Sequence, residues 1–102
     1  MEETPYRASR LFKVLANPLA YQMVIELRKG PTRPVMLART LSRHSTSVSR
    51  LGRELKLVDV IRYETGRNGC GGRIVLYRLK DEAIGRVMDD AEEFIRRARA
   101  QT

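Results

Sequence analysis

Leu41-Ser42-Arg43-His44-Ser45-Thr46-Ser47-Val48-Ser49-Arg50-Leu51-Gly52-Arg53-Glu54-Leu55-Lys56-Leu57, residues 41–57, is the stretch whose reading decides the fold. From about Ser45 to Leu57 the apolar positions Val48, Leu51 and Leu55 recur at spacings of three and four, the period of a half-buried helix. Gly52 sits among them. The opposite face carries Thr46, Ser49, Arg50 and Arg53. Just before it, Ser42 to Thr46 is polar and breaks the pattern. Before that, Thr32 is placed to cap a short helix through about Leu41, with Met36, Leu37 and Leu41 facing inward. Two helices joined by a short polar turn, the second basic on its outer face, form the helix-turn-helix pattern.

The flanks extend this reading. Upstream, Thr4-Pro5 reads as a cap followed by proline at the first helical position, opening a helix through about Ala16 with Leu11, Phe12 and Leu15 as its apolar stripe. Asn17-Pro18 repeats the device, since the residue before proline is pushed out of the helical region and a cap needs that backbone. The second helix runs to about Lys29, with Leu19, Met23, Val24 and Leu27 inward, and Gly30 stops it. Downstream of Asp59 the period falls to about two. Val60 to Thr65 and Arg73 to Leu79 are β-rich runs around a Gly66–Gly72 turn that contains Asn68-Gly69, which makes a hairpin. Asp81-Glu82 places negative charge at the start of a last helix reaching about Ala100. Its stripe is Ile84, Val87, Met88, Ala91, Phe94, Ile95 and Ala98. The sequence thus predicts an α+β, mostly helical chain, a single domain over residues 1–102. The helix-turn-helix spans about 32–58, a two-stranded wing about 59–79 and a C-terminal helix about 81–100.

Charge locates the working face. Of the net +8, residues 33–80 hold eleven Lys/Arg against three Asp/Glu, whereas residues 81–102 hold four against six. A positive field beside an acidic segment reads as one binding surface, not as general solubilisation. Sixteen of the twenty basic residues are Arg, the side chain suited to bidentate phosphate and guanine recognition, although an Arg-rich genome would give the same ratio. No run of about 18 apolar residues is present, so no membrane span is expected. The acidic, polar Met1–Pro5 lacks the chemistry of a secretory signal, and the single Cys70 suits a reducing cytoplasm. A cytoplasmic, nucleoid-associated location is expected.

The element order and several runs resemble the ArsR-type winged helix-turn-helix regulators, an architecture shared with MarR- and PadR-like proteins. The runs are Leu11-Phe12, Leu15-Ala16-Asn17-Pro18, Leu37-Ala38 with Leu41, Val48-Ser49-Arg50 with Leu55, and Tyr77-Arg78-Leu79. Together they span about residues 9–80. Three positions depart from the family: Ala20 stands where Arg is usual, Leu51 where His is usual, and Asp59 where a glycine ends the recognition helix.

The resemblance implies a homodimer that reads double-stranded DNA. In it Ser45, Thr46, Ser49, Arg50 and Arg53 would face the major groove, Arg43 in the turn before them would join the DNA contacts, His44 there would touch a phosphate or do nothing, and Arg67, Asn68 and Arg73 would come from the wing. The bland alternative for the helix is a solvated polar face, and Arg62 and Arg78 can simply pair with acids. Leu11, Ile84, Val87, Met88, Ala91, Phe94, Ile95 and Ala98 form the expected dimer surface, or else pack only on their own core. The family's metal sensors carry a Cys-x-Cys pair on the third helix or His/Asp/Glu ligands on the last. This third helix has no Cys and this last helix no His, and one Cys with one His cannot fill a site needing three or four ligands. No metal or other cofactor is therefore expected. His44 has no Cys nearby and the serines form no triad, so no catalytic residue and no enzyme is expected. Cys70 at the wing tip is either inert or redox-active. Two other functions compete: a nucleoid or RNA-binding protein without sequence preference, and a winged-helix module that holds protein partners.

Overall fold

Proline and positive-φ residues punctuate the chain and set its architecture in the computed structural model, which describes residues 2–101. Five helices and one hairpin follow in the order α1 (Glu3–Leu15), α2 (Pro18–Leu27), α3 (Pro34–Thr40), α4 (Ser45–Leu57), β1 (Ile61–Arg67), β2 (Arg73–Leu79) and α5 (Ile84–Ala100). Asn17 caps α2 as expected: its Oδ1 accepts from the Leu19 and Ala20 backbone N–H groups at 2.9 and 3.3 Å. Two donors left open at any helix N-terminus are thereby satisfied.

Both helices of the helix-turn-helix end in the same way. The N–H of Arg43 reaches the carbonyl of Ala38 at 2.9 Å and that of Ser42 the carbonyl of Arg39 at 3.1 Å. Val60 and Asp59 repeat the pattern on Leu55 and Lys56 at 2.9 and 3.1 Å. This six-to-one plus five-to-two pairing needs a left-handed residue just past the helix. Ser42 (φ 53°) and Asp59 (φ 64°) supply it. Asp59 therefore does adopt the conformation for which glycine is usual.

Four of the expected caps and burials differ. The first helix starts at Glu3, with Glu2 at the cap position and no side-chain bond there, so Thr4 lies inside it. Thr32 does not cap α3; Arg33 precedes Pro34 at that position without a side-chain bond. The wing claims Thr32, pairing its backbone with Tyr77 in both directions at 3.1 and 2.8 Å. Met36 is 41% exposed, because a seven-residue helix turns only Leu37 and Ala38 fully inward. The last helix begins at Ile84, since Asp81 Oδ1 closes a turn on the Ala83 N–H at 2.8 Å.

The core lies where α2 and α4 cross beneath the base of the wing. Ala20, Met23, Val24, Val48 and Leu55 are wholly buried there. β1 and β2 pair antiparallel in the register Ile61↔Leu79, Tyr63↔Tyr77 and Arg67↔Arg73. One face of the hairpin, carrying Ile61, Tyr63, Tyr77 and Leu79, turns toward the core. Gly52 lets this face close on α4: a Cβ there would meet the Tyr77 ring atoms at 2.5–2.9 Å. Helix α5 joins the body through Met88, through Arg28–Asp89 at 2.9 Å and through Tyr21–Glu92 at 2.6 Å. Beyond these anchors it projects, as does the wing. The Cα radius of gyration is 15.3 Å, above the roughly 13 Å of a compact domain this size.

Candidate nucleic-acid interface

Helix α4 presents its N-terminal half to solvent. His44 occupies the cap position, its Nδ1 accepting from the Thr46 N–H at 3.1 Å. One ring nitrogen is thus committed to the helix and Nε2 remains for a ligand. Arg43, Ser45 and Thr46 are exposed around this terminus, where the free N–H groups and the helix dipole favour an anion. One turn further on, Arg50 and Arg53 are also exposed. Ser49 stands differently. It is half-buried and shares the trough between α4 and the wing with the Tyr77 side chain.

The wing tip is built by Asn68. Its Oδ1 accepts from the N–H groups of Cys70 and Gly72 at 3.0 and 2.7 Å, and Gly71 takes the left-handed conformation at φ 81°. Asn68, expected among the DNA contacts, has a structural occupation: its carbonyl oxygen shapes the loop. Arg67 and Arg73 stand opposite one another at the outer end of the hairpin. Arg67 Nη1 donates to the Gly71 carbonyl at 3.1 Å, which steadies that side chain beside the tip. Cys70 is exposed. On the other face of the wing, Arg78 and, at 4.0 Å, Arg62 meet Glu64, so these two cations are answered by an acid.

Ion pairs answer several cations outside this surface, although among the described residues Arg10, Lys13 and Arg86 have none. Arg7 pairs with Glu3, Arg28 with Asp89, Lys29 with Glu26, and Arg96 and Arg97 with Glu93. Among the described residues Arg43, Arg50, Arg53 and Arg73 form no ion pair. A run of uncompensated guanidinium groups along one face sets up a positive potential that charge balance leaves intact. Lys56, which the sequence reading passed over, adds to it, its ammonium lying 4.3 Å from the Tyr63 ring centroid. Its position three residues after Arg53 was the available signal.

A second candidate surface lies on α5 and α1. Phe94 and Ile95 are 68% and 52% exposed, and Phe12 on α1 is 56% exposed. Val87, Ala91 and Ala98 are exposed along the same helix, whereas Ile84 and Leu11 are half-buried against the core. Met88, expected on the dimer surface, is instead buried within its own protomer at 1% exposure. The stripe was wide enough to serve both faces, and Met88 lies on its inner edge.

Among the described residues no group of three or more His, Cys, Asp or Glu side chains could hold a metal ion. No described helix is long and apolar enough to cross a membrane.

No protein-family model matches the chain, and no curated protein sequence matches it. Solved structures do. A homodimeric winged helix-turn-helix DNA-binding domain from Mycobacterium bovis, described as a possible ArsR-family transcriptional regulator, aligns with a TM-score of 0.77 and 20% identity. It covers 97% of this chain and 87% of its own. HlyU from Vibrio cholerae aligns with a TM-score of 0.71 and 18% identity, covering 92% and 97%. The transcriptional repressor BigR from Xylella fastidiosa gives 0.71 and 20% identity, covering 92% and 91%. The chain has the winged helix-turn-helix fold.

Proposed function

We propose that this chain binds double-stranded DNA in a sequence-specific manner, as a homodimer, and serves as a transcriptional regulator of the ArsR type without a metal site of that family's kind. The observation that carries the reading is the placement of the unpaired arginines. Among the described residues Arg43, Arg50 and Arg53 on the helix-turn-helix and Arg73 on the wing lack ion pairs, whereas Arg7, Arg28, Lys29, Arg96 and Arg97 outside those elements have them. A module that only held protein partners would not need uncompensated charge on both elements. Arg50 and Arg53 would meet base edges in the major groove, and Ser45, Thr46 and the α4 N-terminus the flanking phosphates. Arg67 and Arg73 would follow the backbone beside the wing.

The exposed apolar side chains of α5 and α1 support the dimer, since Phe12, Val87, Phe94 and Ile95 form a surface that water disfavours and a second copy would cover. The neighbour from Mycobacterium bovis is described as homodimeric. Two copies would set their recognition helices about 34 Å apart on a pseudo-palindromic site.

The test is a binding titration of Arg50→Ala and Arg53→Ala on duplexes selected from a random pool. Each should lose about 1–3 kcal/mol of affinity while melting like the wild type. Affinity unchanged in both refutes the assignment of α4. Equal, salt-steep binding to every duplex or to RNA would transfer the protein to the non-specific class.

A further inference from the structure

A cleft of about 580 Å³ opens between α1 and the C-terminal end of α4, a size suited to a small molecule. Tyr6, Arg10 and Lys13 line it from α1, where spacings of four and three put them on one helix face. Glu54 and Leu57 line it from α4, and half-buried Val14 and Val58 join it to the core. Its charges are open. Among the described residues Arg10, Lys13 and Glu54 form no ion pair, either with one another or with any other group. Arg10 is steadied instead by Tyr6, whose hydroxyl accepts from Nη1 at 3.4 Å and whose ring centroid lies 5.9 Å from the guanidinium. In the adjoining hollow of about 260 Å³ the charges are already answered, Arg7 by Glu3 and Asp59 by Lys80. Leu57 is 77% exposed, the most exposed large apolar side chain among the described residues.

Cations from one helix and a carboxylate from the other, facing one cleft without closing on each other, call for a ligand that bridges them. A plain carboxylate would meet Glu54 as a like charge, and a plain amine would meet Arg10 and Lys13 in the same way. A zwitterion with an apolar side chain answers all three and covers Leu57. We propose that this cleft binds an apolar α-amino acid, its carboxylate on Arg10 and Lys13, its ammonium on Glu54 and its side chain against Leu57 and Tyr6. The site also joins two working elements. Helix α1 carries exposed Phe12, of the candidate dimer surface, on another face, and α4 is the recognition helix of the reading above. A ligand held across both favours one angle between them, and shifts DNA affinity by as much as it prefers that angle. This regulatory part rests on the DNA-binding reading; the binding of the amino acid does not.

The first test needs no DNA. L-phenylalanine and L-leucine are titrated into the isotope-labelled full chain, followed by amide chemical shifts. Saturable shifts should centre on the stretches of α1 and α4 that line the cleft. Hydrocinnamate and phenethylamine, which each lack one charge of phenylalanine, should bind the wild type about tenfold more weakly, the size of one charge-assisted hydrogen bond. Arg10→Ala and Glu54→Gln, at exposed positions without ion pairs, should each weaken phenylalanine by a similar factor while melting like the wild type. No saturable shift with either amino acid overturns the site. So does a truncated probe that binds as tightly as phenylalanine, or binding unaltered by both substitutions. The second test titrates a selected duplex with and without saturating phenylalanine, and the affinity should change by about fivefold or more. Unchanged duplex affinity overturns the regulatory part alone and leaves the DNA reading standing. No duplex binding in either condition overturns the DNA reading and the regulation with it, while the amino-acid site stands or falls on the shifts.

Discussion

Gly52→Ala sets two sizeable effects against each other at the joint between the recognition helix and the wing. Gly52 is in the middle of α4, where alanine is the better helix former by about 0.8–1 kcal/mol. On propensity alone the substitution stabilises. The added Cβ, however, would stand 2.5 Å from Tyr77 Oη, 2.7 Å from its Cζ and 2.9 Å from its Cε2. Tyr77 has little freedom to yield. It is 3% exposed, stacks on Tyr63, and is held at its backbone by two hydrogen bonds to Thr32. Overpacking of this kind costs about 1–3 kcal/mol, and the rigidity of the ring places this case toward the upper end. The expected net loss is about 1–2 kcal/mol, a fall of roughly 5–15 °C in Tm for a domain of this length. Thermal unfolding followed by circular dichroism reads it, at matched protein concentration because dimerisation would itself raise Tm. The control is the same substitution in a Tyr77→Val background. There the clash is gone and Gly52→Ala should stabilise by up to about 1 kcal/mol. A Tm unchanged or raised in the native background, or an equal effect in both, would refute the packing argument.

Other outcomes follow from the same contacts. Phe94→Asp, which places a charge on the exposed apolar face of α5, should convert a dimer to monomer in sedimentation at tens of micromolar and sharply weaken binding to a two-half-site duplex. A wild type already monomeric at that concentration removes the dimer reading. The Arg28 guanidinium holds the Asp89 carboxyl below its ordinary range. With the folded value lowered, its contribution is present above about pH 3.9 and is lost as pH falls through the folded value. The Tm gap between wild type and Asp89→Asn should therefore close in acid, and a gap constant with pH would exclude the linkage. Burial, and then the hydrogen bond to Glu92, push the Tyr21 hydroxyl up to about 12. The folded value here is raised, so wild-type stability should decline as pH rises from about 10 toward the folded value. Tyr21→Phe should lack that decline, and identical alkaline profiles would count against it.

Much of the fold was legible because its punctuation is local. Asn17-Pro18 sets its own cap, the Asn68-Gly69 loop sets its hairpin, and Asp59 tolerates the left-handed turn that ends α4. Two of the differences depended on partners distant in the chain. Thr32 has every local qualification for a cap, yet the edge of β2 at Tyr77 claims its backbone. Met88 and Phe94 share one apolar stripe, and only the packing of α5 on the body separates the buried residue from the exposed one. In the candidate interface, Arg50 and Arg53 were readable as the outer face of an amphipathic helix. Ser49 was not readable as a half-buried position, because the Tyr77 side chain beside it belongs to the wing. Lys56 was readable from its spacing to Arg53, but the aromatic ring that holds it belongs to the wing.

The most direct measurement is a selection from random-sequence duplex DNA with the wild-type protein, followed by a titration of the recovered pool across salt. The account predicts enrichment of one pseudo-palindromic motif with half-sites about one helical turn apart, and log K falling by roughly 0.9 per phosphate contact for each log unit of salt. No binding to any duplex at low salt would contradict it and leave the unpaired arginines to a protein partner.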